Sequence, residues 1–277
     1  MKNKIKRRKI SAGEVISAFI MIVFAVITLF PFYIMVATST KTQYEFATHF
    51  WSVQIPPVWE NYKTAFDAVK HYILNSFKIA TITTVITLFS TVLGGYAFSR
   101  MRFKGRKVLF KILVGLILLP LPAMLVPQFV IRYKLGLYNT HAALWIGAFA
   151  PLFYIVVAKG FFDEIPQELF ESVRIDGGGE FVIITRILIP LSVSILGTIA
   201  LMSFISSFNN FMDPYIYLSD EKLFTITIGL MSLEGAFGAN YGVLMAGYSL
   251  IAIPLMILIV IFQKSYLKGM TLGAVKG

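Results

Sequence analysis

Few side chains in this sequence are spaced for catalysis. The three histidines, His49, His71 and His141, lie far apart along the chain, and no His, Asp and Glu set has the spacing of metal ligands. Cysteine is absent, which excludes a Cys nucleophile, a thiolate metal site and a disulfide framework. No Walker A lysine motif is present, so we expect no ATP hydrolysis by this chain itself. The pattern predicts a non-catalytic protein with no cofactor or metal site of its own.

The acidic residues concentrate in the segment 163–190, which carries six of the fourteen acids in the chain. Two amphipathic pieces flank the glycine run 177–179, which lacks the strand and spacing of a dinucleotide-binding loop. The first piece follows Pro166, a residue that the first helical turn tolerates, and the second ends at Pro190. A helix–turn–helix with a negative surface suits docking of a partner protein. A solvated hairpin at a membrane surface is the alternative that charge and periodicity leave open.

The composition places this docking segment in a membrane protein. Of 277 residues, 57% are hydrophobic and only 14% are charged, with a mean hydropathy of +0.76. Soluble domains contain roughly 25% charged residues, so this chain could not cover its surface for water. The net charge of +11 therefore indicates the Lys and Arg bias of membrane loops rather than nucleic-acid binding.

Six apolar stretches are long enough to cross a bilayer as helices, since a span needs about 20 such residues. They cover residues 15–37, 72–98, 108–131, 142–162, 191–211 and 243–262. The first is longer than the apolar part of a signal peptide, and no small-residue cleavage site follows it. We therefore expect an all-α membrane protein with six transmembrane helices in a single domain over residues 1–277.

The distribution of basic residues predicts the orientation of these helices. Eighteen of the 25 Lys and Arg residues fall at the N-terminus, in the loop after the second helix, in or beside the 163–190 segment, and in the tail 264–277. The other side of the membrane receives seven. This imbalance predicts that both termini, the 163–190 segment and the tail lie in the cytoplasm.

The 163–190 segment resembles the EAA motif of binding-protein-dependent ABC importer permeases, the MetI-like family. The motif reads Glu-Ala-Ala, three residues, Gly, nine residues, then Ile-x-Leu-Pro. Here Glu171-Ser172-Val173 is followed by Gly177 at the same spacing and, after nine residues, by Ile187-Leu-Ile-Pro190. Ser and Val replace the two alanines, and Ile replaces the leucine.

Further motifs resemble the carbohydrate branch of that family, the permeases similar to the maltose-type second subunit. They occur in the family's order along nearly the whole chain. They are Pro57-x-Trp-Glu-Asn-Tyr62, Gly95-Tyr-Ala-Phe-Ser-Arg100, Phe208-Asn209-Asn210-Phe211 with Pro214, and the end Gly269-Met-Thr-Leu-Gly-Ala-Val-Lys-Gly277. In the third motif, Phe208 and Asn210 stand where the family has Trp and an acid.

The resemblance implies a type I ABC importer fold in a bacterial cell membrane. It also implies a heterodimer with a homologous permease, two ATP-binding subunits that hold ATP and Mg²⁺, an extracellular solute-binding protein and a di- or oligosaccharide substrate. The residues implied to dock on the ATPase are Glu171, Ser172, Val173, Asp176, Gly177, Ile187 and Pro190. Among them, Glu171, Asp176 and Gly177 would orient the docking helix, while Ser172 and Val173 would face the cleft of the partner. The tail residues implied to reach toward the ATPase are Gly269, Thr271 and Lys276.

A sugar path needs side chains that form hydrogen bonds rather than charges. The candidates are Gln128, Ser206, Asn209, Asn210 and Tyr248, and the alternative role for each is hydrogen bonding between helices. The predicted spans contain only three charged residues, Lys78, Lys111 and Lys159, each near a helix end. No buried carboxylate suggests coupling to protons or sodium. A same-fold importer permease for amino acids or peptides and an ATP-independent carrier are the alternative functions.

Overall fold

The structure is a computed structural model that describes residues 12–274, without the side chains of residues 12, 121 and 262–274. All regular secondary structure in this part of the chain is helical, as the long apolar runs predict. The chain divides into two compact units: one contains the residues up to Ala68 together with Leu233–Ala252, and the other contains Val69–Ser232 together with the residues after Ala252.

The helices follow one another with short connections. In chain order they are α1 (Ala12–Ser39), α2 (Gln43–Thr48), α3 (Glu60–Arg100), α4 (Arg106–Ile117), α5 (Leu121–Lys134), α6 (Ala142–Trp145), α7 (Leu152–Asp163), α8 (Gln167–Ile175), α9 (Glu180–Ile183), α10 (Ile189–Leu191), α11 (Val193–Phe208), α12 (Met212–Tyr217), α13 (Ile226–Phe237) and α14 (Tyr241–Ala274). Two 3₁₀ turns, Ile146–Phe149 and Glu221–Leu223, and a π-helical turn, Ile184–Leu188, complete the order.

Four helices in the described part are long and apolar enough to cross a membrane, namely Gly13–Ser39, Glu60–Arg100, Ala142–Asp163 and Tyr241–Ile261. Two bent pairs raise the number to at most six if each pair forms one span. The six-helix count therefore stays a prediction. The second predicted helix begins earlier than expected, at Glu60, and the last continues to Ala274 instead of ending before a tail at 264.

The predicted span 108–131 is not one straight helix, because the chain bends by 109° between α4 and α5. The break falls at Leu118–Pro120, where Pro120 and Pro122 follow in sequence. A proline lacks the backbone N–H that helix continuation requires and disfavours helical geometry at the preceding residue. The predicted helix 191–211 is also shorter than expected, because it begins after a bend of 82° at Ser192 and ends at Phe208. Pro190 precedes this bend and cannot donate to the carbonyl four residues earlier.

The first unit is organised around a buried lysine at the end of α1. Lys41 is fully buried, and its Nζ donates to the carbonyls of His49 and Phe50 at 2.7 Å each. The amide of Asn61 donates to the carbonyls of Ser39 and Lys41 at 2.9 and 2.8 Å. The Asn61 bonds satisfy carbonyls at the end of α1, and the Lys41 bonds satisfy carbonyls just after α2, which helix ends would otherwise leave unpaired.

The second unit contains an apolar core built from α3, α7, α11 and the 163–190 segment. Its fully buried members include Phe162 and Ala158 on α7, Phe170 on α8 and Ile183 on α9. Gly95 lets α7 approach α3 closely, because a Cβ on Gly95 would lie 2.8 Å from the ring of Phe162. This core fixes the position of the segment that carries the family motif.

Candidate functional site

The two helices of the 163–190 segment are joined by a turn that ends α8. Gly177 has a φ of +80°, the left-handed conformation that glycine adopts without strain. The N–H of Gly177 donates to the carbonyl of Arg174 at 3.1 Å, and the N–H of Gly178 donates to the carbonyl of Val173 at 2.8 Å. This pair of bonds is the Schellman motif, which closes a helix end. The turn therefore fixes the path of the chain from α8 into α9.

The second glycine of this turn has no room for a side chain. A Cβ on Gly178 would lie 2.5 Å from Cγ1 of Val173 and 2.9 Å from its carbonyl oxygen. Gly179 differs, because no atom lies within 4 Å of the Cβ position there and its backbone is extended. Gly177 thus provides the left-handed backbone conformation, and Gly178 leaves room for close packing against Val173. Gly179 is required for neither.

One face of the segment is built into the core. Phe170, Ile183 and Leu188 have no exposed surface, and Val173 and Ile187 are half-buried against the same cluster. Burying a large apolar side chain contributes roughly 1.5–3 kcal/mol. The hairpin is therefore held by apolar packing and is not a free surface loop.

Arg100, the last residue of α3, joins that helix to the start of the segment. Its Nη2 donates to the carbonyls of Phe162 and Ile165, the latter at 2.5 Å, and its Nη1 donates to Oε1 of Gln167 at 2.9 Å. The guanidinium also lies over the ring of Phe170, 4.5 Å from the centroid. One side chain thus satisfies the carbonyls where α7 ends and contacts α8 on its buried face.

A second set of polar contacts joins α3 to the hairpin. The hydroxyl of Tyr96 donates to the carboxylate of Glu180, which also pairs with Arg174 at 3.1 Å. Desolvation lowers the pKa of the Arg174 guanidinium, but the hydrogen bond and charge of Glu180 outweigh it and raise the pKa overall. Ser99 donates to Asp163 at 2.7 Å, and Lys159 pairs with the other oxygen at 2.5 Å. The end of α3 therefore contacts the beginning and the middle of the segment.

The opposite face of the segment is exposed and contains two large apolar side chains. Ile175 is 85% exposed at the end of α8, and Phe181 is 78% exposed on α9. Of the residues predicted to dock, the exposed ones are Glu171, Ser172, Asp176, Gly177 and Pro190. Val173 and Ile187 instead lie half-buried against the core.

Sequence reasoning missed Ile175 and Phe181 as surface residues. The structure buries Phe170 and exposes Ile175, although both are apolar residues of the same helix. Helical spacing could have separated them, because residues five apart differ by about 140° around the helix axis at 3.6 residues per turn. Ile175 is an exposed apolar side chain on a hairpin rich in charge, which suits contact with a protein partner, and Phe181 borders an apolar groove formed with α3 and α11.

Four of the five predicted sugar-path residues come together in the second unit. Gln128, Ser206, Asn209 and Asn210 line a cavity of about 510 Å³ between α5 and the end of α11. Tyr248 belongs to the first unit, where its hydroxyl donates to the carboxylate of Glu234. Asn209 and Asn210 follow the end of α11 instead of lying within a helix, and only the fold shows which of these residues share a cavity.

A neighbouring cavity of about 410 Å³ contains a charged residue that the sequence analysis assigned to a loop. Arg132 is only 7% exposed and lines this cavity together with serines of α11 and with Asp213. Residues four apart share one face of a helix, and Nη2 of Arg132 donates to Oε1 of Gln128 at 3.2 Å. The missed signal was that the helical pattern of α5 continues beyond residue 131.

The predicted tail site is only partly described. Gly269 and Thr271 lie in α14, and Lys276 falls outside the described residues. Within residues 12–274, no group of three or more His, Asp or Glu side chains is placed to hold a metal ion.

Several known transport permease proteins are similar in sequence to this chain over most of its length. The chain is 34% identical to the probable ABC transporter permease protein YurM of Bacillus subtilis, over 98% of this chain and 91% of the relative. It is 34% identical to the trehalose/maltose transport system permease protein MalG of Thermococcus litoralis, covering 92% and 94%. It is 32% identical to the arabinooligosaccharides transport system permease protein AraQ of Bacillus subtilis, covering 90% and 91%. No protein-family model matches the chain.

The fold has a close counterpart among solved structures. A chain in the crystal structure of a bacterial ABC transporter that imports the acidic polysaccharide alginate superposes with a TM-score of 0.83, at 22% identity, over 93% of this chain and 99% of that one. Its similarity supports the fold, and the sequence relatives identify the family. With its motifs, its apolar helices and these relatives, the chain belongs to the multi-pass membrane permeases of carbohydrate ABC transporters.

Proposed function

We propose that this chain is a transmembrane subunit of an ATP-driven importer of di- or oligosaccharides and forms the translocation path with a homologous permease. Two of its relatives are named for oligosaccharide or disaccharide transport, which supports this substrate class. The polar cavity of Gln128, Ser206, Asn209 and Asn210 supplies hydrogen-bonding groups suited to sugar hydroxyls. In this proposal an extracellular solute-binding protein delivers the sugar.

The 163–190 segment is proposed to dock on an ATPase subunit, which holds ATP and Mg²⁺. The observation that carries this proposal is the division of the hairpin into two faces. Phe170, Ile183 and Leu188 are locked into the core, while Ile175 and Phe181 lie exposed beside the acidic residues. A hairpin needed only as a loop would gain nothing from exposing two large apolar side chains.

The contacts of α3 suggest how a movement at this segment reaches the transport path. Arg100, Ser99 and Tyr96 tie the end of α3 to the segment. The same helix carries Thr83 and Thr87, which line the 410 Å³ cavity. When ATP closes the two nucleotide-binding subunits, the docked hairpins approach each other and α3 moves with them. This motion opens the path outward, as alternating access requires.

The proposed arrangement has six transmembrane spans with both termini in the cytoplasm. It counts α4 with α5 as one span and α11, after the bend at Ser192, as another, and it agrees with the excess of Lys and Arg on the cytoplasmic side.

Crosslinking tests the docking role directly, because the chain contains no native cysteine. We expect Ile175→Cys, in the assembled complex, to crosslink to an ATPase subunit through a short bifunctional thiol–amine reagent. Tyr44→Cys is the control, since Tyr44 is similarly exposed at 72% but lies on α2, in a predicted outer loop. Equal adducts from both positions, or none from Ile175→Cys, would contradict the proposal.

Uptake by the complete assembly distinguishes the alternative functions. We expect ATP-dependent uptake of labelled maltose, arabinotriose or galactotriose into vesicles. Uptake of amino acids or peptides instead would indicate a same-fold permease for another solute. Sugar uptake that persists without the ATPase subunits would indicate an ATP-independent carrier.

A further inference from the structure

The 410 Å³ cavity in the second unit shares Ser206 and Asn210 with the predicted sugar path and adds polar residues that the path does not include. Its walls come from α3, α5, α11 and α12, together with residues of α6, α7 and the segment between them. Its polar residues include Thr83, Thr87, Ser203, Ser207, Arg132 and Asp213. The volume lies within the roughly 300–1,000 Å³ typical of small-molecule sites.

Arg132 is the buried cation of this cavity, and its hydrogen bonding is incomplete. Its Nη2 donates to Gln128 at 3.2 Å, and the guanidinium lies 4.2 Å from the centroid of the Tyr217 ring. Its Nη1 is buried without a hydrogen-bond partner, as is the hydroxyl oxygen of Thr83, which lines the same cavity from α3. Arg132 makes no ion pair with the acids that the structure describes.

An unpaired donor of this kind is costly in a buried position. A buried polar group without a partner loses its hydration and gains nothing in return. Ionisable side chains inside membrane proteins usually face a cavity and mark a substrate pathway. An oxygen atom of a bound molecule would complete the hydrogen bonding of Nη1.

Asp213 determines which kind of oxygen suits the site. Its carboxylate lines the same cavity and accepts a hydrogen bond from the Asn210 amide at 3.0 Å. The cavity therefore carries one positive and one negative group. A sugar hydroxyl can accept from Arg132 while another donates to Asp213. The carboxylate of a uronic acid would be attracted by Arg132 but repelled by the negative charge of Asp213 in the same cavity.

We propose that Arg132 and Asp213 form a transit site for an uncharged sugar unit within this chain, and that the site selects neutral saccharides over acidic ones. This inference rests on the proposed function, since it presumes that a saccharide passes through the permease. It adds two residues to the path and a substrate class, a neutral rather than a uronic oligosaccharide.

Saturation-transfer NMR on the full-length chain in lipid nanodiscs tests this site. The probes are the neutral trisaccharides maltotriose, arabinotriose and galactotriose, and the acidic trigalacturonate, each at millimolar concentration. We expect transfer to at least one neutral probe and weaker transfer to trigalacturonate. Arg132→Met should weaken the binding of the neutral probe by about 10-fold, the size expected for one hydrogen bond from a charged donor.

Asp213→Asn should strengthen the binding of the acidic probe, a result that misfolding of the variant could not produce. Removing the negative group should strengthen trigalacturonate binding by about 10-fold, since it leaves Arg132 as the only charge in the cavity. Lys134→Met is the control, because Lys134 is exposed on the same helix as Arg132. The inference is overturned by unchanged neutral binding in Arg132→Met, by wild-type preference for trigalacturonate, or by no transfer to any neutral probe.

Transport separates this inference from the proposed function. Normal uptake of a neutral oligosaccharide by complexes with Arg132→Met and with Asp213→Asn would overturn the site and leave the function standing. A complete assembly that imports no sugar would instead contradict the proposed function.

Discussion

At the scale of single residues, the glycine turn and Arg100 decide whether the 163–190 segment keeps its shape. The sequence motif names Gly177, but the structure gives the tightest steric constraint to Gly178, beside Val173. The motif does not name Arg100 as a contact of this segment, although Arg100 bonds to both carbonyls at its start. Both residues act through packing of the hairpin rather than through contact with a substrate.

Gly178→Ala should impair transport while Gly179→Ala should not. The added methyl at 178 would collide with Val173 and break the bond that closes α8, at a cost of about 1–3 kcal/mol for overpacking. Uptake and sugar-stimulated ATP hydrolysis by the complex measure the effect, with membrane abundance as the control. Equal activity of the two variants would show that the turn tolerates displacement.

Arg100→Lys should lower the thermal stability of the chain and its coupling to ATP hydrolysis. A lysine cannot reproduce the fork that bonds two carbonyls and stacks on Phe170. Each buried carbonyl left unpaired costs about 1–3 kcal/mol. Thermal unfolding in detergent and the ratio of sugar transported to ATP hydrolysed are the readouts.

Arg102→Lys is the matched control, because Arg102 is exposed two residues later. If both substitutions lowered the unfolding temperature equally, loss of an arginine in general, and not the contacts of Arg100, would be responsible.

At the scale of elements, α1 differs from the three other long apolar helices of the described residues in that none of its most apolar stretch is buried. The side chains of residues 13–31 are exposed, among them Phe19 and Phe24 at 66% each. Burial within its own unit begins only near its end, at Ala37. An apolar helix of this length must be covered by lipid or by another apolar surface.

Phe24→Asp should therefore reduce insertion of the chain into the membrane. Placing an aspartate near the middle of a spanning helix costs about 2.5–3.5 kcal/mol on insertion scales. The fraction of chain that resists alkaline extraction of membranes measures insertion, and Phe24→Leu is the control. Full insertion of the aspartate variant would mean that α1 lies outside the hydrocarbon region.

At the scale of the whole molecule, the predicted orientation places the 163–190 segment and the loop containing Ile55 on opposite sides of the membrane. This prediction rests on the excess of Lys and Arg on the side of the membrane that contains the 163–190 segment. Both test positions are well exposed, Ile55 at 87% and Phe181 at 78%, so their accessibility to a reagent depends on the side of the membrane.

A membrane-impermeant maleimide should label Ile55→Cys in intact cells and Phe181→Cys only after permeabilisation. The cysteine-free chain provides the unlabelled background. Labelling of Phe181→Cys from outside would reverse the orientation and remove the docking proposal, because ATPase subunits bind from the cytoplasm.

The sequence alone determined the membrane class, the run of apolar helices, the family and the position of the motif that we propose to dock on the ATPase. These follow from local properties: composition, the length of apolar runs, and spacing between residues near in sequence. It did not determine the breaks at Leu118–Pro120 and Ser192, since a proline within an apolar run bends or ends a helix depending on what packs around it.

Only the tertiary structure decided which face of α8 is buried, which polar residues share a cavity, and that Arg132 is buried beside Asp213. Arg100 contacts residues more than sixty positions away, and Thr83, Arg132 and Ser203 meet from three separate helices. Such contacts depend on how distant elements pack together, and no pattern within a single segment records that packing.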